Sequence, residues 1–187
     1  MTKSATTTVS RVSALFLASA LSAACAEDAG PLSPAAATVN GPVAAASGGR
    51  ANINKQLAEV RQATAAFHSL DGAAAAGYGA QLTGCLALAG VGGQGFHYGK
   101  TSIIDGAVSL LEPELLMYEP RGGKLHLVGV EYVVPFDAWT SPEPPHLLGQ
   151  HFHRNEAFGL WVLHAWIWKG NPDGMFADWN PSVRCGD

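Results

Sequence analysis

Charge is scarce in this sequence: 14% of its 187 residues are Asp, Glu, Lys or Arg, where a globular domain ordinarily carries about a quarter. No run of Lys or Arg occurs, and the formal net charge is −4. Without a phosphate-neutralising basic patch, nucleic acid is excluded as a partner. The three cysteines show no C-x-x-C spacing, which argues against a thiolate zinc site. Neither G-x-S-x-G nor H-E-x-x-H is present, so the nucleophile-elbow and zincin signatures are missing. There is no internal repeat and no apolar run long enough to span a bilayer comfortably. Aromatic residues, by contrast, are plentiful. Five Trp, seven Phe and four Tyr exclude a wholly disordered chain.

The N-terminus reads as an export signal. Lys3 and Arg11 precede a thirteen-residue apolar run, Val12 to Ala24, and no acid occurs before Glu27. Two processing sites are open. Ala24-Cys25-Ala26 fits the small-x-small rule and would start the mature chain at Glu27. Leu21 to Cys25 instead resembles a lipoprotein signal, with Cys25 lipidated as a membrane anchor, although Ser22 stands where Leu is usual. Residues 1–26 are therefore assigned to the signal and 27–50, rich in Ala, Pro, Gly and Ser, to a flexible tether. Loss of Lys3 and Arg11 leaves nine basic against fifteen acidic residues, a net charge of −6. In the oxidising compartment that export implies, periplasmic or extracellular, Cys85 and Cys185 remain as a pair expected to form a disulfide.

The folded unit is then 51–187. Leu57, Val60, Thr64 and Phe67 recur at helical spacing and predict a helix over 54–68. Ser69 reads as the N-cap of a short helix through Ala76, stopped by Gly77. Residues 84–95 are glycine-rich and read as irregular, with a short strand over 95–98. Residues 114–119 and 124–134 read as strands joined by a turn at Arg121-Gly122-Gly123. The three prolines of 141–145 mark a loop, 149–153 a short strand, 158–168 a central strand, and 171–174 (Asn-Pro-Asp-Gly) a turn. The expected class is α+β, with N-terminal helices packed on a mainly antiparallel sheet.

Two nucleotide motifs are near misses. Gly90 to Gly95 satisfies G-x-G-x-x-G, but the aromatic, glycine-broken segment after it is a poor helix start. Gly99-Lys100-Thr101 ends like a phosphate loop, yet Gln94 stands where that loop's first glycine belongs.

The histidines and one glutamate carry the remaining chemistry. Glu131 interrupts Leu127–Val134, and His164 interrupts Gly159–Trp168, each within a strand expected to be covered on both faces. A buried carboxylate costs several kcal/mol unless it finds a cation or several donors. Arg61, an imidazolium or a metal are the candidates. His97 lies between Phe96 and Tyr98, and His151 and His153, two apart, would share a face of one strand. Alternation puts His126 on the face opposite Glu131, outside this group. His97, Glu131, His151, His153 and His164 are thus the candidate ligands of a divalent transition metal, Cu, Zn or Fe. Tyr98 and Tyr132 are candidate donors behind them. The competing reading is a metal-free His/Glu hydrogen-bond network in a non-catalytic envelope lipoprotein or small-ligand binder, with Trp161, Trp166 and Trp168 as an apolar pocket wall. A metal-independent hydrolase using a Glu–His pair is a third, with no nucleophile motif behind it. His151-Phe152-His153 with Glu156 resembles the first cupin motif, but Pro172–Asn180 offers no second histidine.

Gly95–Tyr98, Pro113–Pro120, Leu127–Tyr132 and Gly174–Pro181 resemble segments of a group of uncharacterised exported bacterial proteins, over roughly 61–185. The resemblance implies no known activity, and no catalytic residue comes with it.

Overall fold

A computed structural model describes residues 42–186, with side chains from Gly49 onward. The segments expected to form the signal and its cleavage site, with Cys25, lie outside the described residues, as does most of the expected tether. The tether's last part is helical: α1 runs Pro42–Thr64. A proline at the first helical position loses no hydrogen bond there, and the alanines that follow favour helix over coil. A 3-10 turn, Ala65–His68, extends it, so the end of the predicted helix stands and its start moves back. Ser69 caps α2 (Leu70–Ala75), its side chain accepting from the Gly72 N–H, and Gly77 follows at φ +100°.

Nine strands follow: β1 Ala80–Gln81, β2 Leu86–Leu88, β3 Gly92–Gly99, β4 Leu115–Arg121, β5 Lys124–Pro135, β6 His146–Leu147, β7 Gln150–His151, β8 His153–Asn155 and β9 Leu160–Ala165. Seven form one antiparallel sheet in the order β1-β3-β4-β5-β9-β8, with β2 also pairing β3; β6 and β7 make a separate hairpin. The class is α+β, as expected. A single sheet with helices on one face is not the double-sheet jelly roll a cupin requires.

The 84–95 segment is the largest departure from the sequence reading. β3 starts at Gly92, inside what reads as an irregular loop, because its glycines accept backbone where other residues keep a side chain. A Cβ on Gly93 would stand 2.8 Å from the Val183 carbonyl oxygen, and one on Gly92 2.5 Å from the Asn180 carbonyl carbon. The C-terminal segment therefore lies directly on this strand, and Gly93 and Asn180 exchange both backbone hydrogen bonds at 3.0 Å.

The sheet's two faces have different covers. On one, Leu116, Tyr118, Val130, Tyr132, Val134 and Leu163 pack with Leu57, Val60, Ala73 and Tyr78 of the helical layer and its exit. Arg61 belongs to this side and donates to the Ile167 carbonyl, so it is no partner of Glu131. Tyr132 donates to the Leu110 carbonyl and Tyr98 to Gln81, which removes both as donors to the histidines. The tryptophans divide as well. Trp168 donates to Thr64 at the helix, Trp166 donates to the Ala177 carbonyl, and Trp161 lies under the Arg154 guanidinium. They form no common pocket wall.

The other face carries Leu115, Val133 and Val162 in one apolar cluster and Met117, Val128, Trp166 and Val183 in another. It is roofed by the 82–86 segment and by residues 177–185. Cys85 and Cys185 are bonded across these two segments, with Cα atoms 5.6 Å apart. Glu119, buried, receives Lys169 Nζ at 2.7 and 2.6 Å and the Arg184 N–H at 3.0 Å, which fastens the roof's far end. No helix among the described residues is long and apolar enough to cross a membrane.

Two predictions follow from this frame. The disulfide closes a sequence separation of 100 residues, for which loop entropy gives about 4–5 kcal/mol as an upper value. Cys85→Ser with Cys185→Ser should lower unfolding stability by ~2–4 kcal/mol in urea titrations, and an unchanged midpoint would count against it. The second concerns Glu114, 2% exposed, whose Oε2 accepts the Val133 N–H at 3.0 Å. Burial raises its pKa to about 8, against the lowering effect of its backbone hydrogen bonds. The native state then keeps a proton that the unfolded chain releases near the ordinary carboxyl value of 4.5. Stability is accordingly greatest below that value, falls as pH rises towards about 8, and levels beyond. Glu114→Gln, which keeps an acceptor for Val133, should flatten that decline. Identical pH slopes for variant and wild type would refute the assignment.

Candidate metal centre

β5 and β9 place Glu131 and His164 directly opposite one another, and β3 brings His97 from the far side of β4. Leu115, opposite Glu131, and Met117, opposite His97, are the β4 residues between them. All three polar residues are almost sealed: His97 and His164 are each 2% exposed and Glu131 6%. His97 Nε2 is 3.3 Å from one Glu131 oxygen, and His164 Nε2 is 3.5 Å from the other. These separations exceed the 2.7–3.2 Å or so of an N–H···O bond. Each ring faces its own oxygen of the one carboxylate. One ligand atom from each of the three falls within 4.8 Å of the other two. A buried His/Glu group that could hold a metal ion is therefore present.

Thr83 sets the orientation of His97. Its Oγ1 accepts the His97 backbone N–H at 3.2 Å and lies 2.9 Å from Nδ1. The hydroxyl can serve either tautomer. Donating to Nδ1, it leaves the ring proton on Nε2, facing Glu131. Accepting from Nδ1–H, it frees the Nε2 lone pair for an ion, the arrangement expected of an outer partner to a metal-bound imidazole.

His164 is the common member of two groups. Its Nδ1 is 3.4 Å from an Asp178 oxygen, and the same oxygen is 3.1 Å from His153 Nε2. His153, His164 and Asp178 form a second set with metal-ligand spacing, at the mouth of the site. Neither ring nitrogen of His164 makes a hydrogen bond, although both are buried.

The protonation pattern follows from these neighbours. For His97, burial is the largest influence and lowers the pKa; the nearby Glu131 charge opposes it but does not prevail. For His164, burial alone would lower the pKa, but Glu131 and then Asp178 more than reverse it. Asp178 is held below the usual carboxylate range because His164 and His153 outweigh its partial burial.

Of the residues singled out in the sequence, His97, Glu131 and His164 converge, and His153 reaches His164 through Asp178. His151 does not. It sits on β7, separated from β8 by buried Phe152, and its ring meets His146 of the same hairpin with centroids 4.9 Å apart. The two residues are on different strands, so period-two alternation does not relate them. His126 is remote, but for a different reason than alternation. The register shifts between Met117 and Tyr118, so that Leu127 joins Val130 and Tyr132 in the helix-side cluster. His126 is separated instead by its distance along β5, beside Arg121 near the turn.

Asp178 and Thr83 are the participants that sequence reasoning missed. Both lie on irregular segments without apolar periodicity. The only available sign was Asp178 within the aromatic segment Met175–Asn180.

Above His97 and Glu131 lies a cavity of about 150 Å³ walled by Leu82, Leu86, Leu115, Phe158 and Val162. A neighbouring hollow of about 330 Å³ shares Leu86, Gln94, Asn155 and Phe158 with it and reaches His153, His164 and Asp178. A further hollow of about 350 Å³ beside Leu88, Val91 and Arg184 touches none of these groups. The chain matches no known family model, and neither a curated protein nor a solved structure matches it significantly.

In metal-free protein, NMR titration should find the His164 ring holding its second proton above the ordinary value of 6.5 and His97 losing its own below it. The stabilisation from His164 is then fully present below 6.5 and is lost as pH rises through its raised folded pKa. Asp178→Asn should shift the His164 titration downward. A His164 ring neutral at pH 6 would contradict this arrangement.

Proposed function

We propose that this is an exported protein that binds a divalent transition metal through His97, Glu131 and His164. The observation that carries the reading is the convergence of three buried groups whose ligand atoms all lie within 4.8 Å of one another. Charge supports it: a buried carboxylate needs a cation beside it, and an ion held by the two imidazoles would supply one. Imidazole with carboxylate suits Zn, Cu and Fe, and the donor set alone does not choose among them.

Three protein donors leave a four-coordinate ion one position for an outside ligand, the pattern of catalytic rather than structural sites. The adjoining cavity has largely apolar walls, with Thr83, Gln94 and Asn155 as polar groups beside His97 and Glu131. Its size suits a ligand of a few heavy atoms. The disulfide, and the export signal read at Val12–Ala24, support an extracytoplasmic setting.

A metal-free network is the second reading, and one observation favours it. His164, protonated between two carboxylates, would by itself satisfy Glu131. Elemental analysis separates the two, using protein purified without a polyhistidine tag and reconstituted separately with Zn and Cu. The metal reading expects at least about one equivalent per chain, lost in His164→Ala and strongly weakened in Glu131→Gln, with circular dichroism showing both variants folded. Wild type holding under about a tenth of an equivalent would leave the network as the answer.

A further inference from the structure

Resting on the metal reading, we propose that the centre is binuclear, with His164 as the bridge. Nε2 of His164 serves a buried ion with His97 and Glu131, and Nδ1 serves a second ion with His153 and Asp178 at the mouth. His164 is sealed in the protein yet has no hydrogen bond at either nitrogen. A buried polar ring without hydrogen bonds is costly, and here each nitrogen faces its own carboxylate at ion-pair distance: Glu131 at 3.5 Å on one side and Asp178 at 3.4 Å on the other. Two acceptors on opposite edges of one ring are more than a single ion requires.

The outer set is also built rather than accidental. Gln94 Nε2 holds the Asp178 backbone carbonyl at 3.0 Å, and Trp166 Nε1 holds that of Ala177 at 2.6 Å, which fixes where the Asp178 carboxylate stands. The Trp166 ring is nearly parallel to His164, at 8° with centroids 6.3 Å apart, and His153 lies within 20° of the same plane. His153, at 43% side-chain exposure, and Asp178, at 44%, leave the outer position open to an arriving ion. The inner position lies behind them, under the apolar walls.

The balance is simple. Each N–H bond that the His164 ring holds breaks as a metal–nitrogen bond forms at that nitrogen, and its proton passes to the solvent, leaving a bridging imidazolate. No electron is transferred. Each ion then has one carboxylate and one imidazole of its own, and the two share the third ring.

The test uses tagless full chain loaded with Cu(II) or Zn(II), the metals themselves being the probes. Wild type should bind about two equivalents, and the pair His153→Ala with Asp178→Asn about one, because both residues are partly exposed and their replacement spares the buried set. In the Cu(II) form, magnetic coupling through the ring should depress the wild-type electron paramagnetic signal. The double variant should restore the spectrum of an isolated ion. One equivalent in wild type would overturn the second ion and leave the mononuclear reading intact. Two equivalents without coupling would overturn the bridge, and no binding at all would overturn both readings. Retention of two ions by the double variant would show that the outer set is not the second site.

Discussion

Glu131 is the constraint around which one face of this protein is organised. A carboxylate in the middle of a sheet, covered by a roof, cannot keep its charge without compensation, and an uncompensated one would cost several kcal/mol. Apolar residues surround it on its own face, so compensation must come from a small number of directions. β9 supplies His164 at the cross-strand position and β3 supplies His97 from beyond β4. Because these positions are set by the hydrogen-bond ladder, a slip of one residue in either strand would turn a histidine to the helix face. Register and site chemistry are therefore one requirement.

The roof depends on the same geometry. Glycines 92 and 93 let the C-terminal segment approach the β3 backbone, and the bridge to Asn180 fixes its height above the sheet. From there Asp178 reaches His164 and His153, while Cys185 ties the segment's end to Cys85. Cys85 lies two positions beyond Thr83, the residue that orients His97. The disulfide thus joins the segment that supplies an inner histidine's support to the one that supplies the outer carboxylate.

How much of this was legible in the sequence depended on periodicity. The strands 115–121 and 124–135, the turn at Gly122-Gly123 and the Ser69 cap were readable because each has a local chemical cause. Glu131 and His164 stood out because a charge or a ring interrupts an apolar run. The start of β3 was hidden because its glycines serve a neighbour that arrives some ninety residues later in the chain. Asp178 was hidden for a related reason: its position is set by Gln94 and Trp166, not by the residues beside it. His151 was misleading because alternation holds only within one strand, and the chain changes partner at Phe152.

The inner and outer parts of the site rest on supports of different strength. His97, Glu131 and His164 stand on central strands whose backbone is paired on both sides, the part of a fold that opens last. His153 stands on the edge strand β8 and Asp178 on coil, held by single hydrogen bonds and the reach of one disulfide. Preorganisation belongs to the floor, where paired strands hold the spacing of the three side chains closely. Adaptability belongs to the roof, where the side chains are partly exposed. His164 is the only side chain that belongs to both, which makes its ring the point where access at the mouth and charge at the floor act on one another.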